Sequence, residues 1–229
     1  RIKSIMHMDG SILHIGTKSW DLSKKRHVYL LGAGKACNHM AMAVDEILGD
    51  YLTKGIAIVK VAEEADIFHR TDVYVGGHPL PNEEGYHACQ KILELVDQAG
   101  PDDLFLVVIS GGSSALMSCP IDGITLDDEI QTTDVMLKSG ANIYEINAIR
   151  RHISAMNGGM LAKRIQSVGA ELIGFGISDA VGTPRILEFP TLLMPARLWV
   201  LIRPPWTMLE KQSETTMWQT VYPKESLII

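Results

Sequence analysis

The residues of this sequence that are best suited to chemistry lie in two glycine-rich loops, each directly after an apolar run. Gly-Ala-Gly-Lys-Ala at 32–36 follows the run 27–31, and Ser-Gly-Gly-Ser-Ser at 110–114 follows the run 104–109. Glycine lets a backbone approach a ligand closely, and a helix that begins after such a loop directs free N–H groups at an anion. Together the two loops predict a cleft that binds phosphate or carboxylate groups.

Each loop offers candidate ligands for an anion. Lys35 follows a glycine and can place its ammonium group against a phosphate or a carboxylate; a solvated lysine at a tight turn is the alternative. The second loop can form an anion-binding nest or a simple helix cap. Neither loop has the Walker A pattern or the Gly-x-Ser-x-Gly pattern of a hydrolase. The candidate binding residues in the two loops are Gly32, Gly34, Ser110, Gly111, Gly112, Ser113 and Ser114.

Three further side chains can reach the same cleft if the strands before them are parallel. His78 lies in Gly-Gly-His-Pro-Leu-Pro at 76–81, and it either contacts substrate or caps the next helix. Arg150 and Arg151 are adjacent on a predicted helix and point about 100° apart, so they cannot face the cleft equally. Asp179 ends the last clear strand, where a carboxylate holds Mg²⁺, orients a hydroxyl group or caps a turn.

The elements that must position these residues alternate along the chain. Strands are predicted at 27–31, 56–59, 73–75, 104–109 and 171–177, and helices at 36–48, 83–99, 125–139, 142–154 and 159–167. This alternation predicts an α/β fold, with a mainly parallel sheet and helices on both faces. Alternating residues around Asp9-Gly10 predict an additional N-terminal β-hairpin within residues 5–19.

The composition is that of an ordinary globular protein. The 229 residues are 46% hydrophobic and 21% charged, which is enough for one good core. A net charge of -6 disfavours a nucleic-acid partner, and we expect neither a membrane span nor an N-terminal signal. Cys37, Cys89 and Cys119 form no metal-binding or disulfide pattern, which predicts buried reduced thiols and a cytoplasmic protein.

Six motifs, taken together and in order, resemble those of one family. They are the loops at 32–36, 76–81 and 109–116, Ile-Arg-Arg-His-Ile-Ser at 149–154, Gly-Gly-Met-Leu-Ala at 158–162 and Ile-Ser-Asp at 177–179. With this set the chain resembles the glycerate 2-kinases of the MOFRL type, which are often labelled hydroxypyruvate reductases.

The resemblance implies a Rossmann-like N-terminal domain, a smaller C-terminal domain and a cleft between them. It also implies ATP-dependent phosphorylation of D-glycerate to 2-phosphoglycerate with Mg²⁺, and a catalytically important Lys35.

The chain departs from the family pattern after residue 182. Family members continue with Val-x-Gly-Asp, whereas this chain has Ala-Val-Gly-Thr-Pro-Arg at 180–185, followed by a proline-rich and tryptophan-rich stretch without a clear period. We therefore expect residues 1–182 to form a partial N-terminal domain and residues 183–229 to be an anomalous segment, frameshifted or poorly ordered. We also expect weak or no turnover from the chain by itself.

Three functions stay open at this point. In the kinase hypothesis, Lys35 and Arg150 hold anionic groups, the 110–114 loop binds phosphate oxygens, and Asp179 serves Mg²⁺ or the hydroxyl group. The partners are then ATP and D-glycerate, with a homodimer left open. An NAD(P)H-dependent hydroxypyruvate reductase is the second, although Lys60 stands where an acidic ribose-binding residue is expected. A phosphometabolite-binding protein without catalysis is the third.

Overall fold

A small antiparallel sheet at the N-terminus packs against one face of a larger parallel sheet. A computed structural model describes residues 2–177, 198–202 and 227–228 of the chain. After a short helix, three strands pair in the order β1-β2-β3. The bounds are α1 (Ile2–Ile5), β1 (Met6–Asp9), β2 (Ile12–Ile15) and β3 (Lys18–Asp21). The predicted hairpin is therefore the first part of a three-stranded sheet.

The hairpin turn lies one residue later than predicted. Asp9 pairs with Ile12, so the two turn residues are Gly10 and Ser11 rather than Asp9 and Gly10. Gly10 has a φ of 57°, a left-handed conformation that glycine adopts without a steric penalty.

The larger sheet is parallel throughout and has the strand order β10-β9-β8-β7-β4-β5-β6. Its strands are β4 (His27–Gly34), β5 (Lys54–Val59), β6 (Thr71–Val75), β7 (Asp103–Ile109), β8 (Glu171–Ile177), β9 (Leu198–Ile202) and β10 (Leu227–Ile228). Every residue of β7 is buried, as the uniformly apolar run 104–109 predicts for a central strand covered on both faces.

Helices cover both faces of this sheet, which confirms the predicted α/β class. They are α2 (Cys37–Leu48), α3 (Glu83–Asp97), α4 (Ser113–Leu116), α5 (Leu126–Lys138), α6 (Ile143–Ile153) and α7 (Met160–Ser167). The small sheet and α2 share one apolar core, and α3 and α7 share the other. Among the described residues, no helix has both the length and the apolar character that crossing a membrane requires.

Local hydrogen bonds begin the helices where the sequence predicts. The Asn82 Oδ1 atom accepts a 3.0 Å hydrogen bond from the Gly85 N–H at the start of α3. Thr125 and Asp128 form a reciprocal capping box at the start of α5. These side chains satisfy N–H groups that the first turn of a helix leaves without partners.

The three cysteines are free and buried, as predicted. Burial raises the pKa of the Cys37 thiol to about 12, and it raises that of Cys119 to about 11. These thiols are therefore protonated at neutral pH and are poor nucleophiles.

The structure adds two strands after residue 182, where the sequence pattern indicates none. Strand β9 pairs with β8, and β10 pairs with β9, both in parallel. The rest of residues 183–229 lies outside the described residues, so the expectation of an anomalous segment, and with it the division at residue 182, stays a prediction.

Candidate anion site

The two glycine-rich loops leave adjacent strands at the same edge of the sheet. Strands β4 and β7 are parallel neighbours, with Ala33 opposite Ile109. The Lys35 N–H donates a 2.9 Å hydrogen bond to the Gly111 carbonyl oxygen. The Ala36 N–H donates a 3.0 Å hydrogen bond to the Ser110 hydroxyl oxygen. The loops are therefore one hydrogen-bonded surface at the carboxyl edge, where parallel sheets bind ligands.

This contact between the loops requires a glycine at position 34. Gly34 has a φ of 133°, and a Cβ atom there would lie 2.1 Å from the Ser110 Oγ atom. Gly32 lies inside β4, where a Cβ atom would lie 2.6 Å from the Cys37 Sγ atom. Both glycines are buried, and neither lines the cavity described below. They let the strand and its loop pack closely, while their predicted contact with a ligand stays a prediction.

The loop that carries His78 converges on the same place. The Gly76 N–H donates to the Val59 carbonyl oxygen at 2.9 Å, and the Gly77 N–H donates to the Asn82 side chain at 2.9 Å. Asn82 thus caps α3 and fixes the loop before it. The peptide bond between His78 and Pro79 is cis.

Gly112 is the point at which three loops meet. A Cβ atom on Gly112 would lie 3.2 Å from the His78 Nε2 atom and 3.2 Å from the Lys35 Cε atom. Gly112 also has a φ of 88°, which favours glycine. Three motifs that are far apart in sequence are therefore brought together in space.

A cavity of about 340 Å³ opens beside this meeting point. Its polar wall is the loop 110–114 with His78, Asn147 and Arg150, and its apolar wall includes Leu137, Ile143 and Ile146. In the described part of the chain, the N–H groups of Gly111, Gly112 and Ser114 make no hydrogen bond to protein. These donors are available to an anionic oxygen in the cavity.

Positive charge surrounds His78. Burial lowers the pKa of the His78 imidazole below its usual 6.5, and the charges of Lys35, Lys60 and Arg150 lower it further. The ring is therefore neutral at neutral pH and lies among three cations. Such a setting favours an anionic ligand.

Arg150 is the one of the two adjacent arginines that lines the cavity. Arg150 is 8% exposed. Its Nε atom is 3.4 Å from the Thr133 Oγ1 atom, and its Nη2 atom is 3.5 Å from the Pro79 carbonyl oxygen. The Arg151 Nε atom instead donates to the Asn147 carbonyl oxygen at 3.1 Å. Burial lowers the pKa of Arg150, while the nearby Glu129 opposes this shift.

Sequence reasoning missed two residues of this site as contributors. Lys60 follows the last residue of β5, beside the loops that carry Lys35 and His78, and its position at that strand end could have revealed it. Glu129 is fully buried on α5, and the charge of Arg150 acts on its carboxyl group. Its sequence context indicates only an acidic first turn of a helix.

Asp179 lies outside the described residues, and within those residues no group of three or more His, Cys, Asp or Glu side chains could hold a metal ion. Mg²⁺ uses one or two carboxylates together with substrate phosphates. The magnesium site therefore stays a prediction.

Fold and site together define the class of the protein: an α/β domain with an N–H-lined cavity, surrounded by cations, at the carboxyl edge of a parallel sheet. A family profile described as "Domain of unknown function (DUF4147)" matches residues 2–187. The chain belongs to this family. Several relatives of the chain are named glycerate kinase, and they confirm the family resemblance that the six motifs indicate.

Three known proteins illustrate the similarity. Over 158 residues the chain is 42% identical to a glycerate 2-kinase of Pyrococcus horikoshii, covering 69% of this chain and 34% of that protein. Over 171 residues it is 37% identical to a putative hydroxypyruvate reductase of Agrobacterium vitis, covering 74% of this chain and 38% of that protein. The crystal structure of a Thermotoga maritima glycerate kinase matches with a TM-score of 0.65 and 35% identity. The match covers 72% of this chain and 39% of that one. The chain thus spans about a third of the length of its curated relatives.

Proposed function

We propose that this cavity binds the anionic groups that react in the ATP-dependent phosphorylation of D-glycerate to 2-phosphoglycerate. The observation that carries the proposal is that His78 and Arg150 line one cavity with the 110–114 loop, while Lys35 lies beside that loop at Gly112. Relatives named glycerate kinase support this choice of substrate. Because the chain spans about a third of those relatives, its own turnover and its binding of substrate are separate questions.

The chemistry needed is positioning and neutralisation of charge rather than covalent catalysis. A transferred phosphoryl group carries developing charge on its oxygens, which preorganised donors stabilise. Lys35 neutralises this charge, and the N–H groups of Gly111 and Gly112 donate hydrogen bonds to the phosphoryl oxygens. Arg150 holds the carboxylate of glycerate at the far wall. His78, which lines the cavity, is proposed to accept the proton of the substrate hydroxyl group.

ATP is the phosphoryl donor in this proposal, and Mg²⁺ accompanies its phosphates. Among the described residues, no group of three or more His, Cys, Asp or Glu side chains could hold the ion. Asp179 is the proposed ligand of this ion. A cytoplasmic location is part of the same proposal, since the three cysteines are free.

The experiment incubates the chain with MgATP and D-glycerate and follows 2-phosphoglycerate by ³¹P NMR. In parallel, calorimetry measures the binding of 2-phosphoglycerate, which presents both a phosphate and a carboxylate. The proposal requires binding that is lost in Lys35→Met, with or without turnover. A chain that neither forms nor binds 2-phosphoglycerate contradicts it.

A reductase acting on hydroxypyruvate is the second candidate, favoured by the name of the Agrobacterium vitis relative. Dinucleotide-binding folds usually place an acidic residue at the end of the second strand to bind the ribose. This chain has Lys60 directly after β5, which favours a phosphate over a ribose hydroxyl. Oxidation of NADH or NADPH by hydroxypyruvate without ATP would replace the kinase proposal by this one.

A further inference from the structure

We propose that Glu129 is a positioning residue that holds the Arg150 guanidinium at the cavity wall and connects it to the segment after the serine loop. The inference rests on the proposed function for the identity of the anion, although the burial and opposite charge of Glu129 and Arg150 do not depend on it. Glu129 does not line the cavity, so any effect it has on an anion must pass through another group.

Glu129 is a buried carboxylate with an incomplete set of hydrogen bonds. Its residue is 0% exposed, and its Oε1 atom accepts a 2.9 Å hydrogen bond from the Ser118 hydroxyl group. Its Oε2 atom is buried and has no hydrogen-bond partner within the described residues. A buried carboxylate of this kind is costly unless an opposite charge lies nearby.

Arg150 supplies that charge from the adjacent helix. Helices α5 and α6 pack together, and the Arg150 Nε atom approaches Thr133, which lies one helical turn after Glu129 on the same face of α5. Burial raises the pKa of Glu129, while the charge of Arg150 opposes this rise. The two buried residues thus compensate each other's charge across the helix pair.

The other oxygen of Glu129 connects to the serine loop. Ser118 lies two residues after α4 and donates to Glu129 Oε1 at 2.9 Å. The Asn157 side chain also donates to the serine loop, at the Ser114 carbonyl oxygen, over 3.2 Å. One carboxylate therefore accepts a hydrogen bond from the chain segment that follows the N–H donors of the serine loop, and its charge acts on Arg150 in the cavity wall.

A Glu129→Gln substitution distinguishes a positioning role of Glu129 from a simple effect of its negative charge. Replacing Glu129 by Gln keeps its size but removes a negative charge near the site. If only net charge mattered, an anion would bind more tightly to the variant. If Glu129 positions Arg150, the guanidinium loses its counter-charge and leaves its place, and the anion binds more weakly.

The test compares the wild-type chain with Glu129→Gln, Glu129→Asp and Glu94→Gln, an exposed charge-matched control on α3. Calorimetry measures the dissociation constant of inorganic phosphate. Tandem mass spectrometry measures the rate at which phenylglyoxal modifies Arg150, with the neighbouring Arg151 as an internal reference. The second measurement needs no activity and no ligand.

We expect Glu129→Gln to weaken phosphate binding about tenfold, as for the loss of a charge-assisted contact. In this variant, phenylglyoxal should modify Arg150 faster than in wild type and Arg151 at an unchanged rate. The phosphate affinity and the Arg150 rate of Glu129→Asp should lie closer to the wild-type values. Both values should be unchanged in Glu94→Gln. Unchanged or tighter phosphate binding, or an unchanged reactivity of Arg150, overturns the proposal.

If Glu129→Gln does not fold, the test passes to Ser118→Ala, which removes the hydrogen bond to Oε1. The proposal requires faster modification of Arg150 in that variant, and the wild-type rate overturns it. A protein that binds no phosphate, but in which Arg150 reactivity follows Glu129, supports the positioning role and contradicts the proposed function instead.

Discussion

The backbone N–H of Lys35 donates a 2.9 Å hydrogen bond to the carbonyl oxygen of Gly111. Through this bond, the loop after β4 and the loop after β7 share one surface instead of forming two separate turns. Lys35 is exposed, and its Cε atom lies 3.2 Å from the point that a Cβ atom on Gly112 would occupy. Within the part of the chain that the structure describes, the Lys35 ammonium group has no hydrogen-bond or ion-pair partner, and such a lysine is well suited to an incoming anion.

Replacing Lys35 by Met should weaken phosphate binding about tenfold or more, because a charge-assisted contact is lost. The free energy of unfolding should stay near that of wild type, since the side chain is exposed. Calorimetry and urea unfolding measure the two quantities. Lys163→Met, at an exposed position on α7, is the control and should leave both unchanged. Equal phosphate affinity in the Lys35 variant would remove this residue from the site.

The His78 pKa should report the charge around the cavity. Burial, followed by the charges of Lys35, Lys60 and Arg150, places it below 6.5 in the free protein. Removing a cation by Lys60→Met should raise this pKa, and saturating phosphate should raise it as well, because an anion stabilises the imidazolium ion. NMR titration of the His78 ring protons measures both changes. A pKa that does not respond to phosphate contradicts anion binding beside this ring.

Comparing Gly112→Ala with Gly123→Ala should distinguish the effect of backbone strain from the effect of a side chain that contacts the site. Gly112 and Gly123 both have a φ of 88°, but nothing lies within 4 Å of the Cβ position at Gly123. Each Ala substitution should cost about 1–2 kcal/mol of stability through its backbone conformation. Only Gly112→Ala should also weaken phosphate binding, because its methyl group meets His78 and Lys35. Equal phosphate affinity in the two variants would show that the three loops do not depend on this contact.

Asp103 should control stability in acid. Burial raises the pKa of this carboxyl group, but hydrogen bonds from Arg26 and Gly100 and the charges of Arg26 and His27 hold it below 3.8 overall. Because the folded pKa lies below the unfolded one, the stabilisation is complete above about pH 4 and is lost as the pH falls through the folded value.

Urea unfolding of Asp103→Asn should therefore show a loss of about 2 kcal/mol at neutral pH and a flatter acid limb. Asp97→Asn removes an exposed ion pair with Arg164 and serves as the control with little effect. An acid limb as steep in the Asp103 variant as in wild type would assign the acid sensitivity to other groups.

The strands and helices that the sequence predicts correctly are those whose signals are local. An uninterrupted apolar run defines β7, and Asn82 and Thr125 define helix starts through side-chain hydrogen bonds over three residues. Strand β3 has no such signal, because its residues (Lys18–Asp21) are exposed or only partly buried and do not alternate clearly. Its pairing with β2 therefore could not be read from the sequence alone.

The same distinction holds for the site. Lys35 and the 110–114 loop could be predicted because a glycine loop after a strand has a local chemical meaning. Glu129 could not, since it stands in an acidic first helical turn with Asp127 and Asp128 and only tertiary packing buries it. Nothing local in the sequence distinguishes Lys60 from other lysines. Its place near His78 follows only from the register of β5 beside β4 and β6.

The measurement that tests the account most directly is a titration of the ¹⁵N-labelled chain with 2-phosphoglycerate, followed by two-dimensional ¹H–¹⁵N NMR. We expect the largest amide shifts at Gly111, Gly112 and Ser114, with a side-chain response at His78 and Arg150 and none on the small N-terminal sheet. Shifts that are absent, or that cluster away from the 110–114 loop, would contradict an anion site at the carboxyl edge of this sheet.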